Sequence, residues 1–254
     1  MRPALIFARL CLAAMSLLGT MSMAAVRDPQ FEIIGNSITA AVALSPPGQN
    51  QYSSAELFSR LMEHQRSQGS RLDSFSVTRT YKVEDGKDKT LAEEVVVMEY
   101  KEPGTKTFTT TSANGSTFIR GHVFQQLMKR EVERATGYQD RDRSITPNNY
   151  AFETLGNELV GNVYCSVVHA IPKRKETYLF EGKIWIDDQD FAIVKVAGHL
   201  AKSPSFWIKH VDFVRQYQKI DGFWLPLREQ SIARVRIYGI RILTIDYQGY
   251  KVNK

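Results

Sequence analysis

The densest group of side chains that could do chemistry is Asp187-Asp188-Gln189-Asp190, three carboxylates in four residues between two apolar runs. Carboxylates this close can ligate a divalent cation or share a proton. A calcium loop of the EF-hand kind, however, spreads its oxygen ligands over about twelve positions around a central glycine, and this stretch has neither feature. Aspartates also close turns by accepting hydrogen bonds from their own backbone. The flanking residues favour that use: Phe180, Ile184 and Ile186 share one phase before the acids, and Ala192, Val194 and Val196 share one after them. The four residues read as the corner of a hairpin.

No other group makes a better catalytic case. The five histidines, at 64, 122, 169, 199 and 210, form no HExxH pair or other metal-ligand spacing. Cys165 and His169 would share one face of a strand but lie roughly 13 Å apart, outside hydrogen-bond reach of each other. Cys165 therefore reads as a small buried apolar residue. GxSxG, Walker and GxGxxG signatures are absent. Glu93-Glu94 and the pair Glu131 and Glu133 read as solvated faces. Neither an enzyme nor a bound cofactor or metal is expected. One charge stands out by its phase: Arg79 alternates with Phe75, Val77, Tyr81 and Val83, which aims a guanidinium at the apolar side. Such a charge either pairs with an acid or sits at a cavity mouth, where it would meet a lipid headgroup or an acyl-linked carboxylate.

The elements that position these residues follow from periodicity. Ser53 with Glu56 is a capping-box signature, and Leu57, Phe58, Leu61 and Met62 recur at helical spacing up to Gly69. From Leu72 the period changes to two, predicting a half-buried strand through Val83. Two further strands surround the turn at Lys101-Glu102-Pro103. A second helix is predicted in GHVFQQLMKREVERA, with Val123, Phe124, Leu127, Met128 and Val132 as its stripe, and an exposed loop in TGYQDRDRSITPNN. The remainder is punctuated by regular turn signals with no helical pattern between them, which predicts an antiparallel meander.

The start of the chain bears on compartment. Arg2 and Arg9, the apolar run LCLAAMSLLG and the small residues around Ala24 and Ala25 make a secretory signal over residues 1–25. Residues 26–52 read as a loose leader, and 53–254 as a single β domain. Loss of the signal removes two arginines and no acid, so a net charge of +6 falls to +4. That mild surplus gives nucleic acid binding little support and admits contact with an anionic membrane surface or an acidic protein partner. Only Cys165 would survive processing, so the mature chain has no internal disulfide.

A long meander whose strands each have one apolar face must bury that face. With few helices to cover about ten strands, the expected fold is mainly β (α+β), an antiparallel sheet that closes on itself, packs against a second sheet, or curls around one to three helices as an incomplete barrel. Phe180, Ile184, Ile186, Val194, Val196, Leu225, Leu227, Val235 and Ile237 are the candidate lining for a hydrophobic ligand, and Arg79 the candidate charge at the cavity mouth. A dry packed core would show the same periodicity. Arg234, Arg236 and Tyr238 form a basic outer stripe opposite Val235 and Ile237, with Gly239 at a turn or bulge.

The helix followed by DSFSVTRTYKV and VVVMEYKEPGTKTFTTTSANGSTFI, with the later FEGKIWIDDQDFAIVKV and YQKIDGFWLPLREQSIARV, resembles the LolA-like periplasmic proteins, related to LolB and the RseB sensor domain. The likeness covers most of residues 53–252, and its most specific pieces are GKIWID and DGFWLP. It implies a curved barrel with helices as a lid over a hydrophobic cavity, and a carrier of lipids or lipoprotein acyl chains without catalysis. The alternatives are an RseB-like sensor or scaffold that binds a protein partner, and a hydrolase with a cryptic site. LolA carriers place an arginine before the proline of the first hairpin turn, where it helps hold the lid closed. Here Lys101 and Glu102 occupy that turn, and an ammonium does not replace a guanidinium fork.

Overall fold

The computed structural model describes residues 52–69, 71–102, 104–135 and 144–253. The expected signal peptide lies outside the described residues, as do the leader apart from Tyr52, Pro103, and residues 136–143 of the polar loop.

Helix α1 (Ser54–Gly69) starts where the capping signature places it, with the Glu56 amide donating to Ser53 Oγ at 3.2 Å. The Glu56 carboxylate turns to Arg60 instead of completing the box. Leu57, Phe58 and Leu61 are buried, and Phe58 stacks on Phe152 with ring centres 3.7 Å apart. Gln68 fastens the far end of the helix, accepting from the Trp224 amide at 3.3 Å.

Ten strands follow in one sheet: β1 (Ser74–Asp85), β2 (Thr90–Lys101), β3 (Thr105–Gly115), β4 (Tyr150–Val160), β5 (Val163–Pro172), β6 (Phe180–Asp187), β7 (Ile193–Leu200), β8 (Ile208–Ile220), β9 (Phe223–Val235) and β10 (Gly239–Asn253). Their spatial order is β3-β2-β1-β10-β9-β8-β7-β6-β5-β4 and every pairing is antiparallel. The last strand inserts beside the first, so the edges are β3 and β4, which do not pair. The sheet is curled and unclosed, as the LolA-like resemblance implied.

Between those edges the chain crosses through a second helix. It opens as Thr117–Ile119, passes a π turn over Arg120–Phe124 and continues as Gln125–Ala135; we label the whole α2. It starts earlier than its apolar stripe suggested, because Ser116 Oγ accepts from the Ile119 amide at 3.3 Å and caps the first turn. Val123, Phe124, Leu127 and Met128 are buried, but Val132 is exposed. At about 100° per residue Val132 falls on the stripe's margin, while Glu131 falls at its centre. The expected exposed loop before β4 is also corrected in part, since Ile145 and Asn149 are buried. Asn149 reaches that position by donating to the Ser144 carbonyl at 2.8 Å.

A row of small residues lets the sheet curl. Ala170, Gly182 and Gly198 lie directly opposite one another across β5, β6 and β7, and Phe213 continues the row on β8. A Cβ on Gly182 would collide with the Ala197 carbonyl oxygen and the Gly198 backbone, and one on Gly198 with the Glu181 carbonyl. Backbone cannot yield as a flexible side chain can. Gly182→Ala should therefore lower the urea midpoint by an amount equivalent to about 1 to 3 kcal/mol. Gly121→Ala, where a Cβ meets nothing within 4 Å on α2, should hold or raise it.

Candidate functional site

Arg79 is where the molecule departs from a simple greasy core. Strict alternation along β1 carries Phe75, Val77, Arg79, Tyr81 and Val83 to the inner face together, and the Arg79 side chain is only 5% exposed. Glu131, central in the α2 stripe, meets it from above. Nη1 bonds Oε2 at 2.7 Å and Nη2 bonds Oε1 at 3.1 Å, a two-point fork that fixes both side chains. Lys106 of β3 gives Glu131 Oε1 a second cation at 2.8 Å. Burial by itself would push the Glu131 carboxyl up, but Arg79 and Lys106 outweigh it and hold it well below the usual carboxylate range. The end of α2 is thus latched to β1 and β3 by charge.

The latch continues sideways across the sheet. The Arg79 guanidinium lies 4.8 Å from the Tyr247 ring centre and donates to Tyr81 Oη at 3.3 Å. Tyr247 donates to Glu229 Oε1 at 2.8 Å, and Glu229 Oε2 takes Arg215 at 3.0 Å. Burial pushes the Tyr81 and Tyr217 hydroxyls up to about 12, which keeps both neutral beside their arginines. The chain of contacts therefore runs from β3 through α2, β1, β10 and β9 to β8. It holds three cations, Lys106, Arg79 and Arg215, against two anions, Glu131 and Glu229. Arg79 Nε, moreover, has no hydrogen-bond partner among the described residues. Nearby on β2, Glu94 faces inward too; its Oε1 accepts from Thr110 Oγ1 at 2.8 Å and Gln125 Nε2 at 2.9 Å.

Two expectations are corrected by this geometry. Glu131 and Glu94 are not solvated faces; Glu93, half-exposed on the outer face of β2, and Glu133, exposed on α2, are. Arg79 is not free at a cavity mouth but paired with an acid. The Lys101-Glu102 turn also takes no part in holding the lid: Glu102 accepts from Tyr100 Oη at 2.7 Å at the surface, and Lys101 is exposed.

The other sequence-derived positions divide clearly. Phe180, Ile184, Ile186, Val196 and Leu225 are fully buried within one contiguous core, and Val235 is buried beside them. Val194 is buried as the extra residue of a β6–β7 bulge, which breaks the phase it was expected to share with Val196. Leu227, half-buried, is likewise the extra residue where the β8–β9 register shifts. Ile237 is corrected: it stands exposed on the β9–β10 turn, because β9 ends at Val235 and the chain reverses over residues 236–238 into Gly239 (φ +66°), the first residue of β10.

The aspartate corner is structural, each acid in its own way. Asp187 accepts from the amides of Gln189 at 3.1 Å and Asp190 at 3.3 Å. Asp188 ties down β4 and β5 through Asn157 at 3.0 Å and Ser166 at 2.5 Å. Asp190 accepts from Trp224 Nε1 at 2.6 Å and pairs with Lys219. Among the described residues no three His, Cys, Asp or Glu side chains converge as metal ligands. Cys165 is buried and its thiol is pushed up by that burial, while His169 faces Glu153 and Glu181.

A family model matches residues 50–251 of this sequence. The chain belongs to DUF5686, a family of unknown function. No curated protein matches it. Solved structures similar to this DUF5686 chain include a LolA superfamily protein from Nitrosomonas europaea, with 12% identity, a TM-score of 0.40, and 76% of this chain and 94% of that one covered. A DUF1329 family protein from Desulfovibrio piger has 10% identity, a TM-score of 0.39, and coverage of 78% and 92%. The MucA/MucB complex of Pseudomonas aeruginosa matches at 12% identity and a TM-score of 0.29, covering 78% and 93%. The LolA-like resemblance noted in the sequence points to this same group. The likeness is one of chain course.

The latch makes two predictions. Glu131→Ala would leave Arg79 buried without its fork, and should cost about 3 to 5 kcal/mol in urea unfolding, most of it recovered in Arg79→Met/Glu131→Met. The depressed Glu131 carboxyl also sets a pH dependence. Its contribution is full above the ordinary 4.5 and erodes as pH falls from there toward the folded value. Wild-type stability should therefore fall more steeply below pH 4.5 than that of the double variant.

Proposed function

We propose that this DUF5686 chain is an exported, periplasmic carrier: it holds an acyl chain of a lipid or lipoprotein on the inner face of its sheet, beneath α2, and does no chemistry on it. The observation that supports this most is how α2 is held. A helix needed only to close a core does better with apolar contacts throughout, since a buried ion pair seldom beats a well-packed apolar one. Here an apolar stripe lies beside a charged latch. The stripe occupies sheet surface that an acyl chain could cover instead, exchanging like for like. The latch is an element that a competing anion can open.

The chemistry of the latch also selects the ligand. A carboxylate or phosphate head that displaced Glu131 would meet Arg79, its spare Nε–H and Lys106, with Tyr81 Oη within reach of the same guanidinium. Phe180, Ile184, Ile186, Val196 and Leu225 supply the apolar wall farther along the sheet. An acidic amphiphile fits better than a neutral hydrocarbon, because Arg79 and Lys106 converge on one point of the inner face.

An RseB-like sensor or scaffold is the second reading, favoured by edge strand β3. Nearly all of its residues are exposed, and its outer edge is open to a pairing partner. Uptake of a fluorescent long-chain fatty acid by the folded protein separates the two. The carrier reading expects saturable uptake, and Glu131→Gln should take up the probe about 10-fold more readily because the latch is weakened. No uptake by either protein, together with a protein partner co-purifying without lipid, would overturn the carrier in favour of the scaffold.

A further inference from the structure

One end of the curled sheet combines exposed apolar side chains with unpaired cations. Strand register puts three turns there: Asp85 of β1 lies opposite Arg241 of β10, and Val235 of β9 lies opposite both Gly239 and Ile208. The β1–β2, β7–β8 and β9–β10 turns therefore make one rim. They also touch. The Arg236 amide donates to the Trp207 carbonyl at 2.9 Å and its Nε to the Phe206 carbonyl at 2.8 Å, while Ile240 packs so close to Gly86 that a Cβ there would lie 2.9 Å from its own.

The tips of this rim are apolar. Phe206 is 73% exposed, Ile237 63%, Ile240 41% and Tyr238 39%, although the inner face a few residues away buries every comparable side chain. Half of the large exposed apolar residues of the described chain are gathered at this one place. Lys87, Lys202, Lys209, Arg234, Arg236 and Arg241 surround them, and none forms an ion pair with a carboxylate among the described residues. Of the acids at this rim, Asp85 is engaged by the amides of Lys87 and Lys89 in its own turn, and Asp88 is exposed in that same turn among the six cations. Arg236 stacks 4.6 Å from the Phe206 ring centre and props it outward.

We infer that this rim docks on an anionic phospholipid surface. The tips of three turns would enter the headgroup layer while the encircling cations meet phosphates. Charge complementarity favours this occupant: cations beside a negatively charged leaflet each add attraction, and aromatic residues prefer the interface. Shape favours it as well. The apolar groups stand on convex tips of separate turns, which a deformable lipid surface accommodates together, whereas a protein partner would need a matched pocket for each. The inference is independent of the carrier reading. It adds a place for loading or release, since α2 begins at this end, just after β3 finishes opposite Ala92.

Vesicle co-sedimentation of the purified chain tests it, comparing phosphatidylcholine alone with phosphatidylcholine containing about a third phosphatidylglycerol. The wild type should bind the anionic vesicles at least about 10-fold more tightly, with binding falling as salt rises. Lys202→Glu/Lys209→Glu/Arg234→Glu should lose about 10-fold or more of that affinity. Phe206→Ser/Ile237→Ser should lose the part that survives high salt, and both variants should keep the wild-type melting temperature because all five positions are exposed. Equal binding to the two vesicles, or wild-type binding by the charge-reversed variant, overturns the inference. So does tighter saturable binding to soluble polyglutamate than to vesicles, which would mark an acidic protein site instead. Uptake of the fatty-acid probe by these variants should stay unchanged, keeping the two readings separable.

Discussion

A guanidinium inside an apolar shell has to be answered by an anion, and in this protein the answer comes from a helix. Everything about the open side of the sheet depends on that pairing. Because Arg79 sits in the inward phase of β1, α2 must present Glu131 at the centre of its apolar stripe. β3 adds Lys106 as a second cation on the same carboxylate. The edge strand, the first strand and the lid are thus fastened at one point. Opposite, Tyr247 and Glu229 pass the same polarity on to Arg215, so the interior is divided between a charged seam and a wall of aliphatic and aromatic side chains.

The topology explains why such a fastening is needed. The meander returns β10 to the side of β1, leaving β3 and β4 as unpaired edges joined only through α2 and the segment that follows it. No ladder closes the barrel. Its shape is kept by the small-residue row at Gly182 and Gly198, which allows the backbone to curl, and by helices bridging the gap. Helix α1 does its part through Phe58 on Phe152 and Gln68 at the β8–β9 turn. In a sheet built this way the helices cover the inner face without taking part in any strand pairing.

The polar residues of the surface divide along similar lines. The aspartate corner looked like the most reactive stretch of the chain, yet its acids are consumed in holding turns and strands. The β9–β10 turn looked like part of an apolar lining, yet it projects outward with Phe206 beside it. Local density of functional groups proved a poor guide in both cases, because hydrogen-bond partners far away in sequence decide whether a group is engaged.

By itself the sequence determined the strand periodicity, the first helix and its Ser53 cap, and the antiparallel meander. These follow from short-range spacing: two for a half-buried strand, about 3.6 for a helix, and backbone-bonding residues at turns. It also showed that Arg79 was anomalous; Arg215 and Glu131 stand in phase with apolar neighbours in the same way, but Arg215 is not singled out in the sequence and Glu131 reads there as part of a solvated face. Only the tertiary structure decided which charge answers which. Arg79 and Glu131 are separated by two strands and most of a helix, and their pairing depends on the helix crossing β1 at one particular height. Bulges at Val194 and Leu227, and the turn at Gly239, likewise break the period that would have assigned faces. Periodicity specifies the face of an element; what occupies the space above that face is set by the packing of the others.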